Sequence, residues 1–141
     1  MRISTKGRYS LRALTHLARS FYEDGNKPVS IKEIAAREEI SNRYLENIFI
    51  KLRRAGILDS SKGEKGGFKL KRSPEKISLL EILQCVENEV APSKCVVKMS
   101  VCPRSDKCGI RKIWKRLHDH INGFLEKVSL KEIMESHFDR G

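Results

Sequence analysis

Acidic residues are scarce in this chain: 18 Asp and Glu stand against 29 Lys and Arg, a formal net charge of +11 at pH 7. The shortage is uneven. Residues 1–75 carry 17 basic and 9 acidic side chains, net +8, and the remaining 66 carry 12 and 9, net +3. Such a surface favours a polyanionic partner, nucleic acid or an anionic membrane; the plainer alternative is a solvated lysine-rich surface. Long apolar runs are also missing. None approaches the ~18 residues that span a bilayer, and Met1-Arg2-Ile3-Ser4-Thr5-Lys6 leads into a mixed polar helix rather than a secretory signal. The expectation is a cytoplasmic protein without a membrane partner, its four cysteines reduced or metal-bound rather than in disulfides. Catalytic constellations are lacking too. There is no Ser-His-Asp set, no pair of carboxylates in one segment and no phosphate loop followed by Lys-Ser/Thr. His16, His118, His120 and His137 are scattered, and residues two apart on a helix do not face each other. An enzyme is therefore not expected. No internal repeat or low-complexity segment occurs, and the length suits one domain with a real core.

What is present centres on residues 41–54. Leu45, Ile48, Phe49 and Leu52 recur at i, i+3, i+4 and i+7 and share one helical face. The opposite face carries Asn42, Arg43, Glu46, Asn47, Lys51, Arg53 and Arg54. Amides and guanidinium groups are the chemistry that reads base edges and holds phosphates, so this segment is expected to be a DNA recognition helix.

Before it, the spacing predicts a helix over 7–22, with an apolar stripe of Leu11, Leu14, Leu17, Ala18 and Phe21. A turn at 23–28 follows, then Ser30-Ile31-Lys32-Glu33 as a capping box. The short helix it opens ends near Glu38, Ile40 is the apolar residue of the turn, and Ser41 caps the next helix. Two helices joined by a tight turn, the second presenting Arg and Asn, make a helix-turn-helix; many helical hairpins share this outline. After it, Gly56 takes the C′ role, Ile57–Ser61 reads as a strand and Phe68–Arg72 alternates apolar and basic residues. The glycine-rich tip between them carries Lys62 and Lys65, and a hairpin in this place is a wing that meets DNA backbone or minor groove. The alternative is an ordinary surface hairpin. The fold class expected is mainly α with a small β-hairpin wing.

Downstream, Ser73–Lys76 is a loop and Ser78-Leu79-Leu80-Glu81 a second capping box. Cys85 sits beside the apolar face of the helix so opened and reads as a buried structural thiol. Residues 87–109 then change character, with Cys95, Cys102 and Cys108 spaced C-x6-C-x5-C. Zinc knuckles start with a tighter cysteine pair, whereas wide thiolate loops wrap iron–sulfur clusters; zinc, thiol redox chemistry and ordinary reduced cysteines remain alternatives. Lys94, Lys98, Arg104, Lys107 and Arg111 flank the thiols. A long helix over 110–128 has Ile110, Trp114, Leu117, Ile121, Phe124 and Val128 in steps of four and three, with Ile113 and Leu125 broadening the seam. A heptad seam of this length suits pairing with a second copy; packing on its own domain is the alternative. Ser129-Leu130-Lys131-Glu132 is a third capping box, opening a last short helix. The expected division is 1–86 as the DNA-binding domain, 87–109 as a cysteine-bearing sensor loop, and 110–141 as dimerisation helix plus short helix.

These residues resemble the IscR/NsrR/CymR group of bacterial winged-helix transcription regulators over nearly the whole chain. The resemblance is carried by Ser4-Thr5-Lys6-Gly7-Arg8-Tyr9, Ser41-x-x-Tyr44-Leu45-Glu46, Leu52-Arg53-x-Ala55-Gly56-Ile57-Leu58, Gly63-x-x-Gly66-Gly67-Phe68, the three-cysteine loop, Trp114 and the Leu125-to-Leu130 region. It implies a homodimer on double-stranded, roughly palindromic DNA, with a recognition helix of each subunit in the major groove. Lys6, Arg8 and Tyr9 would position the protein on phosphates. Ser41, Asn42, Arg43, Tyr44, Glu46, Asn47 and Lys51 belong to the reading helix, and Lys62 and Lys65 to the wing. It also implies a [2Fe–2S] or [4Fe–4S] cluster on Cys95, Cys102 and Cys108, sensing iron, redox state or nitric oxide. The first cysteine interval is one residue longer than usual here. Where some relatives place a ligand His this chain has Arg111, and where others use a carboxylate or His in the first helix it has Arg8 and Arg12. Asp106, His118, Cys85, a small thiol and water are the candidates for the fourth ligand. A protein–protein adaptor using the basic face is the remaining rival, and it predicts salt-insensitive behaviour that DNA binding does not.

Overall fold

Serine side chains start the helices of this protein. In the computed structural model, which describes residues 2–87, 90–98, 103–104 and 107–138, Ser4, Ser30, Ser41, Ser78 and Ser129 each accept the amide hydrogen three residues on, at 3.1–3.2 Å. The helices so opened are α1 (Thr5–Glu23), α2 (Ile31–Glu38), α3 (Asn42–Arg54), α4 (Leu79–Val86) and α6 (Leu130–Phe138); α5 runs Gly109–Lys127. Helix α1 thus begins two residues before the expected start, because Ser4 caps it. Among the described residues the reciprocal half of the capping box forms only at Ser78–Glu81. Glu33 instead pairs one turn on with Arg37 at 3.0 Å. Short 3-10 turns occupy Pro74–Lys76 and Lys94–Val96. No helix among the described residues is long and apolar enough to cross a membrane.

Strands β1 (Leu58–Ser61) and β2 (Gly67–Leu70) pair antiparallel, Leu58 opposite Leu70 and Ser61 opposite Gly67. Gly56, at φ +79°, ends α3 as expected. Gly67 sits at φ +153° with its α-carbon against the Val29 carbonyl, where a β-carbon would collide. That close approach lets Val29 and Phe68 exchange two 2.8 Å backbone hydrogen bonds, which hold the hairpin against the entry to α2.

The apolar faces of α1, α2, α3 and α4 meet the hairpin in one core, in which Leu14, Leu17, Ile34, Leu45, Ile48, Phe49, Leu52, Leu58, Leu70 and Ile82 are all buried. Each such side chain contributes about 1.5–3 kcal/mol relative to exposure. Leu130 joins this core, so α6 returns to pack along α1. Its start is tied to that of α4 by Leu79 N–H to Val128 O and Leu130 N–H to Ile77 O, both 2.8 Å. A second cluster joins Leu80, Leu83 and Leu125, fixing the C-terminal third of α5 to α4.

The turn between α2 and α3 contains no glycine, yet Glu39 adopts φ +55°. A left-handed L-residue costs roughly 1–2 kcal/mol, and the surroundings offset it. The Glu39 and Ile40 amides both return to the Ala35 carbonyl, and Ile40 is buried. Arg12 donates to the Glu38 carboxylate and to its carbonyl oxygen, both at 2.8 Å, and His16 Nε2 lies 2.6 Å from the same carboxylate. Burial alone would raise the Glu38 pKa; hydrogen bonds and charge from His16 and Arg12 outweigh it, leaving the group below its ordinary 4.5. A depressed folded-state pKa contributes stability above the unfolded value that is lost as pH falls through the folded one. Wild-type protein should therefore lose melting temperature below about pH 4.5 more steeply than Glu38→Gln, with the two curves converging in stronger acid. Parallel curves across that range would show that the carboxylate charge is not what holds the turn.

Candidate nucleic-acid interface

Burial of Leu45, Ile48, Phe49 and Leu52 leaves the other side of α3 in solvent: Asn42, Arg43, Glu46, Asn47, Lys51 and Arg54 are all exposed. This surface has two flanks. Arg53 donates to Ser60 Oγ at 3.1 Å and faces β1 of the wing. On the other flank a depression of about 460 Å³ is lined by Lys6 from α1 and by Tyr44, Asn47, Ile50, Lys51 and Arg54 from α3. Three cations and no carboxylate line it, which suits phosphate oxygens. Arg54 belongs to this site as firmly as Lys51. It is not among the residues that the sequence alone singles out for DNA, although its spacing of seven from Asn47 puts it on the same face.

The other candidates divide by what they touch. Arg8 is exposed, and its guanidinium donates to Thr5 Oγ1 at 3.1 Å. Tyr9 and Tyr44 pack edge to face, ring centroids 5.7 Å apart, and fix the start of α1 against α3. Ser41 caps α3 through its hydroxyl. Lys62 and Lys65 are exposed at the wing tip, together with Glu64. Arg12, by contrast, is engaged with the Glu38 carboxylate and carbonyl and lies over the Tyr9 ring.

Cys95 lies in the Lys94–Val96 turn, its sulfur 3.2 Å from Ser93 Oγ, and Cys108 is the N-cap residue of α5. Arg111, one turn into α5, donates to the Cys95 carbonyl at 3.0 Å, so both residues are held at the same end of that helix. Both thiols are free and half-buried. Thiolates are soft donors of the kind that bind iron or zinc; Cys102 and Asp106 lie outside the described residues. Among the described residues no group of three His, Cys, Asp or Glu side chains converges on a metal position. His118 is ten residues along α5 from Cys108, about 15 Å at 1.5 Å per residue, too far to share one centre with it. Cys85 packs against the main core, where burial pushes its thiol pKa up against the pull of Lys51.

The apolar seam of α5 is largely uncovered. Ile110 is 62% exposed, Ile113 51%, Trp114 40%, Leu117 42% and Phe124 64%.

Comparison with known proteins gives one answer. The profile of the Rrf2 family, described as iron-dependent transcriptional regulator, matches residues 3–136. The HTH-type transcriptional regulator IscR of Cereibacter sphaeroides is 37% identical over 138 residues, covering 96% of this chain and 88% of that protein. IscR of Escherichia coli O1:K1 is 34% identical over 136 residues, covering 96% and 82%. Among solved structures, CymR, the global cysteine regulator of B. subtilis, superposes with a TM-score of 0.81 at 29% identity over 99% of both chains. IscR of T. potens does so at 0.75 and 28% identity, over 97% of this chain and 88% of that one. These relatives are named as transcriptional regulators rather than enzymes, and this chain shares their winged helix-turn-helix fold. The chain belongs to the Rrf2 family of DNA-binding transcriptional regulators.

Proposed function

We propose that this protein is a cytoplasmic, homodimeric, sequence-specific DNA-binding regulator whose affinity is switched by an iron–sulfur cluster on Cys95, Cys102 and Cys108. The observation that carries the DNA reading is the shared depression of α1 and α3, with Lys6, Lys51 and Arg54 beside exposed Asn47. Arg43 suits a guanine edge, Asn47 an adenine edge, and Glu46 accepts from cytosine while opposing sites that offer no donor. Dimerisation is supported by the bare Ile110–Leu117 face of α5, and a two-fold dimer would read half-sites one helical turn, about 34–36 Å, or a multiple apart. Arg43→Ala should weaken binding by about 1–3 kcal/mol and relax one base position. Lys65→Ala should act evenly across sequences and lower the salt slope by about 1. A gel-shift panel in which both act evenly would remove this division of roles.

The cluster reading is supported by the half-buried thiols of Cys95 and Cys108 at one end of α5 and by the IscR relatives. When bound, the cluster would supply iron that responds to oxidant or nitric oxide, and its sulfur ligation would tie Cys95 and Cys108 to one centre. Ligation shifts DNA affinity only by its preference between two arrangements of the chain. Anaerobically purified protein should absorb between about 400 and 460 nm and carry iron and sulfide. Replacing Cys95, Cys102 or Cys108 by Ala should abolish the colour, whereas Cys85→Ala should keep it. A colourless, iron-free protein after reconstitution would leave zinc or thiol redox as the switch.

A further inference from the structure

Glu87 follows the last residue of α4 and opens the segment that bears Cys95, Cys102 and Cys108. Its carboxylate is bonded to the far end of the sequence. Oε1 accepts the Ser4 N–H at 2.9 Å and the Ser4 hydroxyl at 2.8 Å, and the oxygen of that hydroxyl accepts the Gly7 N–H at 3.2 Å. The N-cap of α1 is therefore itself capped by a charge, at the end of the helix where negative charge is favoured. Gly7 is buried, and a β-carbon there would overlap the Glu87 carboxylate; the absence of a side chain makes the contact possible. Glu87 also lines a cavity of about 380 Å³ with Val96, Val97 and His118, and Val96 and Val97 directly follow Cys95. One residue thus touches the first turn of α1 and borders the cavity beneath the Cys95 turn. Lys6 and Arg8 project from that same first turn.

We propose that Glu87 is a positioning residue, a latch through which the cysteine segment sets the posture of the DNA-facing first turn of α1. The inference rests on the cluster-switched DNA reading above. When the segment holds Glu87 in place, the Ser4 amide and hydroxyl are satisfied and Lys6 and Arg8 are fixed. When it draws Glu87 away, both donors lose their acceptor and the turn is free to move.

The test uses full-length protein, with and without a reconstituted cluster, and a duplex enriched by the wild type from a random-sequence pool. Glu87→Ala, Glu87→Gln, Gly7→Ala and the Gly7→Ala/Glu87→Ala double variant are compared, the Gln form guarding against a folding defect. The Ser4 and Gly7 amides should be protected from hydrogen exchange in the wild type and exchange about tenfold faster in Glu87→Ala. The ratio of affinities with and without cluster should collapse towards one in Glu87→Ala and be partly retained in Glu87→Gln. Gly7→Ala should reproduce Glu87→Ala, and the double variant should be no worse than either, the non-additivity expected of two residues in one contact. A wild-type affinity ratio in Glu87→Ala, or additive effects of the two substitutions, overturns the proposal. Equal affinity of the wild type in both states refutes the cluster switch and the transmission together. The latch on α1 is then decided separately by exchange at Ser4 and Gly7.

Discussion

Replacing Ile113 and Trp114 together by glutamate is expected to break the proposed dimer and to weaken operator binding by about 10²- to 10⁴-fold. Both side chains lie on the face of α5 that its own domain leaves open, at 51% and 40% exposure, between Ile110 and Leu117, which are also exposed. Two carboxylates buried against a second copy would be unpaired charges, costing several kcal/mol each. In the monomer they would meet only water. The substitution should therefore leave the melting transition of the isolated domain nearly in place, because surface changes of this kind usually stay within about 0.5 kcal/mol. The loss in binding would come from geometry: in the proposed dimer two linked recognition helices would gain an effective concentration that a single one lacks. Sedimentation equilibrium and fluorescence anisotropy on the selected duplex measure the two parts. A variant that remains dimeric would place the dimer contact elsewhere, and a monomer that keeps full affinity would remove the two-fold reading of DNA.

Phe49→Ala addresses the other side of the recognition helix and should destabilise the protein by about 3–5 kcal/mol. The side chain is fully buried and meets Phe68 edge-on, ring centroids 5.1 Å apart, so one residue holds α3 to β2 of the wing. For a chain of this size the loss corresponds to a drop of roughly 10–20 °C in Tm, a large share of a total stability of about 5–15 kcal/mol. Asn47→Ala is the informative partner. It removes an exposed amide, so it should leave Tm within about a degree or two while weakening DNA binding. Thermal denaturation of both variants, read beside their affinities, separates the face that folds α3 from the face proposed to read DNA. A Phe49→Ala protein that melts with the wild type would mean the ring is not an anchor.

The parts legible in the sequence were those whose causes lie within a turn or two of the chain. The stripe Leu45, Ile48, Phe49 and Leu52 follows from helical period, and the caps at Ser30, Ser41, Ser78 and Ser129 follow from hydroxyls three residues before free amides. Gly56 follows from the need for positive φ at a helix end, and the wing follows from alternation between glycines. The resemblance added the roles proposed for the cysteines and for Lys6 and Arg8. Contacts between distant residues left no local trace. Nothing near Arg12 announces that it clamps Glu38, 26 residues on. The Glu39 turn carries no glycine to mark it; that backbone is held by the Ala35 carbonyl, the burial of Ile40 and Arg12 together.

The amino-acid order by itself determined an amphipathic recognition helix followed by a wing, a basic N-terminal half, a cysteine segment and a seam-bearing helix. Each of these is a matter of spacing and side-chain chemistry, which survive without coordinates. Only the tertiary structure decided that the N-terminal part of the seam stays bare while Leu125 packs on α4, since a periodic pattern does not say what covers it. It alone joined Lys6 to Lys51 and Arg54 in one depression, and brought Glu87 across 83 residues to Ser4. Those juxtapositions depend on how the helices cross, which the common core sets and no single segment contains.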